Sequence, residues 1–151
     1  MAKKIIALGC DHGGYELKLS IIEMLKKQED KYEFIDLGAY TSERSEYPEI
    51  AHAVCETITS GKADCGILCC GTGLGMSMTA NKHNGIRAAC VSDTFSAKMT
   101  REHNNANVLC LGGRVVGAGL AEEIVTLFLE TPFSNGERHI ARIEKMMSFE
   151  K

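Results

Sequence analysis

The sequence predicts an α/β fold, a single doubly wound domain in which a five-stranded parallel sheet is flanked by helices. Short, near-continuous apolar runs alternate with longer stretches of helical periodicity, as in sheets buried on both faces. The 151 residues suit one domain, and no linker or internal repeat divides residues 1–151. Hydrophobic residues at 44% and charged residues at 25% are ordinary globular values, which exclude a disordered or fibrous chain.

Five brief runs rich in Ile, Val, Leu and Cys are predicted as strands. They cover residues 5–10, 32–37, 65–70, 87–91 and 108–111. Helical faces come from apolar residues spaced three or four apart. The stripes are Leu17, Ile21, Met24 and Leu25; Ile50, Val54 and Ile58, with Pro48 in the first turn; Leu120, Ala121, Ile124, Val125 and Phe128; and Ile140, Ile143 and Met147 after a cap at Asn135.

Charge and cysteine content exclude several classes of function. The net charge of −3 disfavours a nucleic-acid or membrane-surface partner. Seven cysteines, an odd number set in apolar runs without a CxxC pair, are typical neither of a secreted disulfide framework nor of a zinc site. The apolar stretch at the N-terminus is too short for a secretion signal, and no run approaches a membrane span. We expect a soluble cytoplasmic protein.

Ligands of doubly wound sheets bind outside the carboxyl ends of the strands, so the residues that follow each run are candidates. Asp11 and His12 follow the first run, and Arg114 follows the fifth. The third run ends in the loop 71–75, whose backbone N–H groups at the start of a helix suit an anion. Met76 occupies the third glycine position of a dinucleotide fingerprint, and no Walker A lysine follows. A plain tight turn stays open as an alternative.

Cysteine and basic residues near these ends carry chemistry. Cys70 directly precedes the loop, where a helix N-terminus would favour a thiolate, whereas Cys69 should point to the other side as core. Arg138 and Arg142 are four apart on one helical face, which suits phosphate recognition but also a solvated surface. His103 ends another helical stretch, a position that by itself is more typical of a surface histidine. His52 and His83 receive no role.

The motifs that carry these residues resemble one family. In chain order they are GCDHGG, YPEIA, GILCCGTGLGMSMTANK, GIRAA, REHNNANVL, GGRVVG and GERHIAR. Together they make the chain similar to the type B ribose-5-phosphate isomerases of the RpiB/LacAB sugar-phosphate isomerase family, over residues 4–147. The resemblance implies a metal-free and cofactor-free Rossmann-like homodimer or tetramer. Its C-terminal helix extends to the partner, and each active site draws on both subunits.

The resemblance also implies a reaction and a role for each matching residue. D-ribose 5-phosphate and D-ribulose 5-phosphate are interconverted through an enediolate, a step of the pentose phosphate pathway. Cys70 is the implied base, assisted by Thr72, and the amides of Gly71, Gly73 and Gly75 stabilise the enediolate. Asp11 and His103 open the sugar ring, with Asn104 and Tyr47 in support. The implied phosphate set is His12, Arg114, Arg138 and Arg142, with His139 beside it.

Departures within the family leave specific alternatives. Some members have a glutamate base where this chain has Met76, and a thioether cannot take a proton, so here the base must be Cys70. Cys69 replaces the family's usual aliphatic residue, a neutral core exchange. The segments REHN and RHxxR argue against the galactose-6-phosphate branch. The alternatives are an isomerase of a 6-phosphorylated hexose such as D-allose 6-phosphate, a dinucleotide-binding oxidoreductase and a non-catalytic binding module.

Overall fold

The apolar runs form one parallel sheet in the computed structural model, which describes residues 2–151. The strands are β1 (Lys4–Cys10), β2 (Tyr32–Asp36), β3 (Cys65–Cys70), β4 (Ala88–Cys90) and β5 (Val108–Gly112). They lie in the order β2-β1-β3-β5-β4, and every neighbouring pair is parallel. All five predicted strands are confirmed to within one residue at each end.

Burial explains why the central strands show no alternation in sequence. Every residue of β3 and of β5 is buried, because helices cover both faces of the sheet. Edge strand β4 is only three residues long and partly exposed. Strands with apolar residues at nearly every position therefore lie at the centre of the sheet, and strands with shorter or less apolar sequences lie at its edges.

Six helices and a short 3-10 turn flank the sheet. The helices are α1 (Tyr15–Lys26), α2 (Tyr47–Thr59), α3 (Leu74–Ala80), α4 (Thr94–Asn104), α5 (Ala118–Glu130) and α6 (Glu137–Met147); the turn is His12–Gly14. α1, α4 and α5 pack on one face of the sheet, and α2 and α3 pack on the other. The doubly wound α/β prediction is confirmed.

The predicted stripes of α1 and α5 are buried with one exception. The stripe of α1 is buried throughout, and that of α5 is buried from Ala121 to Phe128. Leu120 is 39% exposed, so its predicted burial is wrong. It lies in the first turn of α5, ahead of the residues that reach the sheet.

The strand order fixes the place of a ligand crevice. From β1 the chain moves outward to β2, and it then returns to form β3 on the other side of β1. The carboxyl ends of β1 and β3 lie side by side, with Cys10 paired to Cys69. Loops leaving these two ends turn to opposite faces of the sheet, which opens a crevice between them.

The last helix packs loosely on its own chain. His139 is the buried residue of α6, whereas Ile140 is 38% exposed and Ile143 and Met147 are only partly covered. The predicted cap at Asn135 is wrong by one residue, because Gly136 is the N-cap and Asn135 adopts a left-handed φ of 58° before it. Within residues 2–151, none of the helices is both long and apolar enough to cross a membrane.

Candidate functional site

Asp11 caps the turn that follows β1. Its Oδ1 accepts hydrogen bonds from the backbone N–H groups of Gly13 and Gly14, at 2.9 and 3.2 Å. The side chain is only 7% exposed. Gly14 packs directly against β3, and a Cβ there would lie 2.3 Å from the backbone carbonyl carbon of Cys69. This close approach brings Asp11 to the edge where β3 ends.

Cys70 ends β3 beneath the glycine loop. The N–H of Gly73 donates to its Sγ at 3.0 Å, and a donor of this kind stabilises a thiolate. Gly73 is the N-cap of α3 and has a φ of 83°, a left-handed conformation that favours glycine. Thr72 lies between them, and its Oγ1 accepts from the N–H of Leu74 at 3.2 Å. The loop therefore wraps backbone donors around the sulfur.

Three further predicted residues border this loop. The ring of Tyr47 covers Gly75 so closely that a Cβ there would lie 2.7 Å from its Cε1. Arg114 joins the other side, where its N–H donates to the carbonyl of Gly71 at 3.0 Å. His12 follows Asp11 at the mouth of the crevice and is exposed. We call this group the carboxyl-edge half-site; it comprises Asp11, His12, Tyr47, Cys70, Gly71, Thr72, Gly73, Gly75 and Arg114.

The remaining predicted residues lie at the opposite edge of the sheet. α4 runs antiparallel to the strands, so His103 and Asn104 at its end lie beside the start of β4, where Arg87 Nε donates to the Asn104 carbonyl at 3.1 Å. Asn104 also lines a cavity of about 440 Å³ beside α6. The His103 and His139 rings stack with centroids 4.4 Å apart. We call this group the amino-edge half-site; it comprises His103, Asn104, Arg138, His139 and Arg142.

His139 is the most perturbed histidine of this group. Its Nδ1 is 2.7 Å from Ser134 Oγ, and Arg138 Nε donates to its Nε2 at 3.4 Å. Burial, and after it the positive charges of His103, Arg138 and Arg142, lower the pKa of His139. A cluster of two histidines and two arginines repels further positive charge and suits an anion.

The two half-sites cannot meet within one chain. Gly112, at the end of β5, pairs with Cys70, whereas Val108 begins that strand at the other edge. The strand rises ~3.3 Å per residue, so its four steps separate the edges by roughly 13 Å before loop lengths are added. The structure thus brings nine predicted residues together and keeps five apart from them.

The other cysteines fill space, with one exception. Burial raises the pKa of Cys55 to about 11 and that of Cys65 to about 12, and it also raises the pKa of Cys69. Cys10 and Cys110 are buried too. Cys90 is exposed, and its Sγ lies 3.6 Å from the carbonyl oxygen of Thr72, a neighbour of the site that the sequence interpretation missed. Its position as the last residue of β4, at the same edge, was the available signal.

A thiol held by a backbone donor, at the crevice of an open parallel sheet and beside arginine, is an arrangement that suits a small anionic substrate. Fold and site therefore define the class, a single-domain α/β enzyme. A family model described as Ribose/Galactose Isomerase matches residues 6–146. The chain belongs to this family, and it is an isomerase.

Individual relatives match over nearly full length. The chain is 48% identical to a putative sugar phosphate isomerase of Bacillus subtilis, with 97% of each chain covered. It is 45% identical to ribose-5-phosphate isomerase B of Escherichia coli, covering 98% of this chain and 97% of that one. The solved type B ribose 5-phosphate isomerase of Trypanosoma brucei superposes with a TM-score of 0.95 at 42% identity, covering 99% and 100%.

The same family includes proteins named for other sugars. A galactose-6-phosphate isomerase subunit of Clostridium acetobutylicum is 41% identical, covering 97% of this chain and 86% of the relative. A D-erythrulose-4-phosphate isomerase of Pectobacterium atrosepticum is 40% identical, covering 96% and 94%. Family membership therefore establishes the kind of reaction more firmly than the sugar.

Proposed function

We propose that this isomerase interconverts D-ribose 5-phosphate and D-ribulose 5-phosphate, as the names of its relatives from Escherichia coli and Trypanosoma brucei indicate for those proteins. The single observation that carries the proposal is the Cys70 thiol under the Gly73 N–H, 3.0 Å away, at the crevice between β1 and β3. A thiol held in this way can act as a base.

Proton transfer by Cys70 is the proposed chemical step. The thiolate takes the proton from C2 of the open-chain aldose, and the C2–H electron pair forms the C1=C2 bond of the enediolate while C1=O becomes the oxyanion. A proton passes from O2 to O1, C2=O forms, and the thiol returns its proton to C1. A positioned base of this kind contributes roughly 10²–10⁴ in rate. Amides of the loop 71–75 stabilise the enediolate, and one preorganised donor is worth about 2.7–4 kcal/mol. Because the Gly73 N–H already points at the thiol, we assign Gly73 to the thiolate rather than to the oxyanion.

Opening of the sugar ring requires an acid and a base before the proton transfer. We assign it to Asp11 and His103, since imidazole titrates near neutral pH. Oδ1 of Asp11 is used by the turn, which leaves Oδ2 for a sugar hydroxyl. Asn104 and Tyr47 support the sugar, and Thr72 assists the thiol. The phosphate is held by the arginines of both half-sites with His12 and His139.

The separation of the half-sites supports a homodimer. Cys70 and His103 lie at opposite edges of the sheet, so a complete site needs the amino-edge half-site of a second copy. The apolar face of α6 supports this, because Ile140 and Met146 are 38% and 45% exposed. Leu74, Met78 and Phe95 add exposed apolar surface on α3 and α4. We propose a homodimer with two shared active sites.

The free cysteines favour a reducing compartment for this enzyme. All seven are free thiols, and Cys70 can act as a base only while it is reduced. We therefore place the enzyme in the cytoplasm, where thiols stay reduced, and its reaction in the pentose phosphate pathway.

The decisive experiment is an isomerase assay over a panel of substrates. It compares the 5-phosphate of ribose, the 6-phosphates of allose and galactose, and erythrulose 4-phosphate, each with Cys70→Ala as control. We expect the largest kcat/KM for ribose 5-phosphate and loss of turnover in Cys70→Ala with every sugar. A larger kcat/KM for allose 6-phosphate would instead establish the hexose alternative. Turnover of none of these sugars, together with binding of NADH in a fluorescence titration, would overturn the isomerase proposal.

A further inference from the structure

Lys18 is the one lysine buried completely among residues 2–151, at 1% exposure. It lies in α1, a helix that carries none of the predicted site residues. Its Nζ forms an ion pair with Asp36 at 2.7 Å and donates to the Ala39 carbonyl at 2.6 Å. The rings of Tyr15 and Tyr40 lie 5.9 and 5.6 Å away.

Stability alone does not account for this buried charge. Desolvation of a lysine and a carboxylate offsets most of their attraction, and apolar replacements of similar volume are often neutral or stabilising. A buried ion pair can instead select one conformation of the segment that it touches.

The segment that Lys18 holds leaves β2 and crosses the end of β1. Oδ1 of Asp36 also accepts the N–H of Gly38 at 3.0 Å. Gly38 and Ala39 exchange two backbone hydrogen bonds with Cys10, at 2.6 and 2.7 Å. Tyr40 closes the turn, since its hydroxyl donates to the Asp36 carbonyl at 3.0 Å. The residue after Cys10 is Asp11, so the segment is fixed directly beside the carboxyl-edge half-site.

The far end of the same segment reaches two predicted site residues. The backbone N–H of Ser45 donates to Nδ1 of His12 at 3.4 Å. Since a backbone N–H can only donate, Nδ1 must be the acceptor, and the neutral ring carries its proton on Nε2. Two residues later, Tyr47 begins α2 and covers Gly75.

We infer that Lys18 and Asp36 are positioning residues that hold the segment 37–46 so that the Ser45 N–H fixes the orientation and tautomer of His12. Nε2–H of His12 is then the donor offered to the substrate phosphate. This inference rests on the proposed function for the identity of the substrate, but the tautomer of His12 does not depend on it. The Ser45 hydroxyl is buried and has no hydrogen-bond partner within residues 2–151. The contact of Ser45 with His12 is therefore made by the backbone N–H and not by the side chain.

The test uses a double variant with a matched control on the same helix. Lys18→Met with Asp36→Asn removes both charges and keeps an acceptor for the Gly38 N–H. The control, Lys26→Met with Glu23→Gln, removes an exposed ion pair of α1. For the double variant and the control we would measure KM and kcat for ribose 5-phosphate and Ki for inorganic phosphate. We would also measure the urea midpoint and the ¹⁵N NMR shifts of His12.

We expect KM and Ki for inorganic phosphate to rise about tenfold or more in the double variant, while kcat changes less than about threefold. The NMR spectrum should change from the Nε2–H tautomer to a mixture, and the control should match the wild type. Unchanged KM, Ki and tautomer in a folded double variant would overturn the inference. So would a wild-type His12 that carries its proton on Nδ1.

A second pair of variants covers the case in which the double variant does not fold. Ser45→Pro removes the backbone N–H, whereas Ser45→Ala keeps it and removes only the unpartnered hydroxyl. We expect the tautomer mixture and weaker phosphate inhibition in Ser45→Pro alone, and equal behaviour of the two would overturn the inference. A wild-type protein without isomerase activity but with the Nε2–H tautomer would contradict the proposed function and leave the positioning inference standing.

Discussion

Two inactive variants should restore activity to each other if each site is shared between chains. Cys70→Ala damages the carboxyl-edge half-site, and His103→Ala damages the amino-edge half-site. Each variant alone should lose roughly 10²–10⁴ in rate, the usual contribution of a positioned acid or base. Within one chain Cys70 lies beside the carboxyl end of β5 and His103 lies at the opposite edge of the sheet. A single chain therefore cannot bring its own Cys70 and its own His103 into one site.

The expected recovery follows from the symmetry of a dimer. When equal amounts of the two variants are unfolded, mixed and refolded, about half of the dimers contain one chain of each kind. Every mixed dimer has one site with both defects and one site with none. Total activity should therefore rise to about 25% of the wild-type value at equal chain concentration. The assay is ribulose 5-phosphate formation before and after mixing.

The control mixes two variants of the same half-site, Cys70→Ala and Asp11→Asn, whose mixed dimers contain no intact site. Their mixture should stay at the sum of the separate activities. If the mixture of Cys70→Ala and His103→Ala also stays at that sum although mixed dimers form, the shared-site reasoning is refuted.

Three further outcomes follow from individual residues. Arg142→Ala should raise KM for the sugar phosphate at least tenfold with little change in kcat, whereas Lys145→Ala on the same exposed helix should not. Gly61→Ala should cost about 1–2 kcal/mol in urea unfolding because its φ is 82°, and Gly73→Ala, with a φ of 83°, should cost more, because its Cβ also crowds its neighbours. Only Gly73→Ala should also lose turnover, since Gly61 has open space around it and Gly73 meets packed atoms at 3.0 Å. The pKa of His139 is lowered by burial first and then by neighbouring positive charge, so the unfolded chain binds more protons than the folded chain. The free energy of unfolding should therefore fall as pH drops below about 6.5, and His139→Asn should reduce this dependence in urea unfolding at pH 7.5 and 5.5.

Each of these outcomes can fail on its own. An unchanged KM in Arg142→Ala would remove that arginine from the phosphate set. Equal turnover of Gly61→Ala and Gly73→Ala would contradict the role of the loop at the thiol. Identical urea midpoints at the two pH values in the wild type and in His139→Asn would show that His139 does not titrate differently on unfolding.

The strands and most helices were predictable because local patterns dictate them. A parallel strand buried on both faces must be apolar at nearly every position, and β3 and β5 meet this condition in full. The predicted N-cap of α6 was wrong by one residue, because an asparagine in the left-handed conformation can stand just before the N-cap as readily as it can be the N-cap. Leu120 was misplaced because a helical stripe does not show which of its turns reaches the sheet.

The arrangement of the site was only half accessible from sequence. Cys70 ends a strand, and Asp11 and Arg114 follow strands, so their common edge was predictable from the rule for parallel sheets. His103 lies at the other edge because α4 runs antiparallel to the strands. Sequence motifs do not show how far apart their residues lie in the folded chain. The contact of Lys18 with Asp36, 18 residues away, and that of Ser45 with His12 depend on how a loop crosses β1. No local pattern specifies that path.

Exchange of the substrate C2 proton tests whether Cys70 is the base. Ribose 5-phosphate is incubated in D₂O with wild type or with Cys70→Ala, and the C2 proton signal is followed by NMR, with inorganic phosphate binding as the measure of an intact site. We predict that Cys70→Ala binds phosphate like the wild type and slows the loss of this signal by roughly 10²–10⁴. Loss of the signal at a near-normal rate in Cys70→Ala would show that Cys70 is not the base.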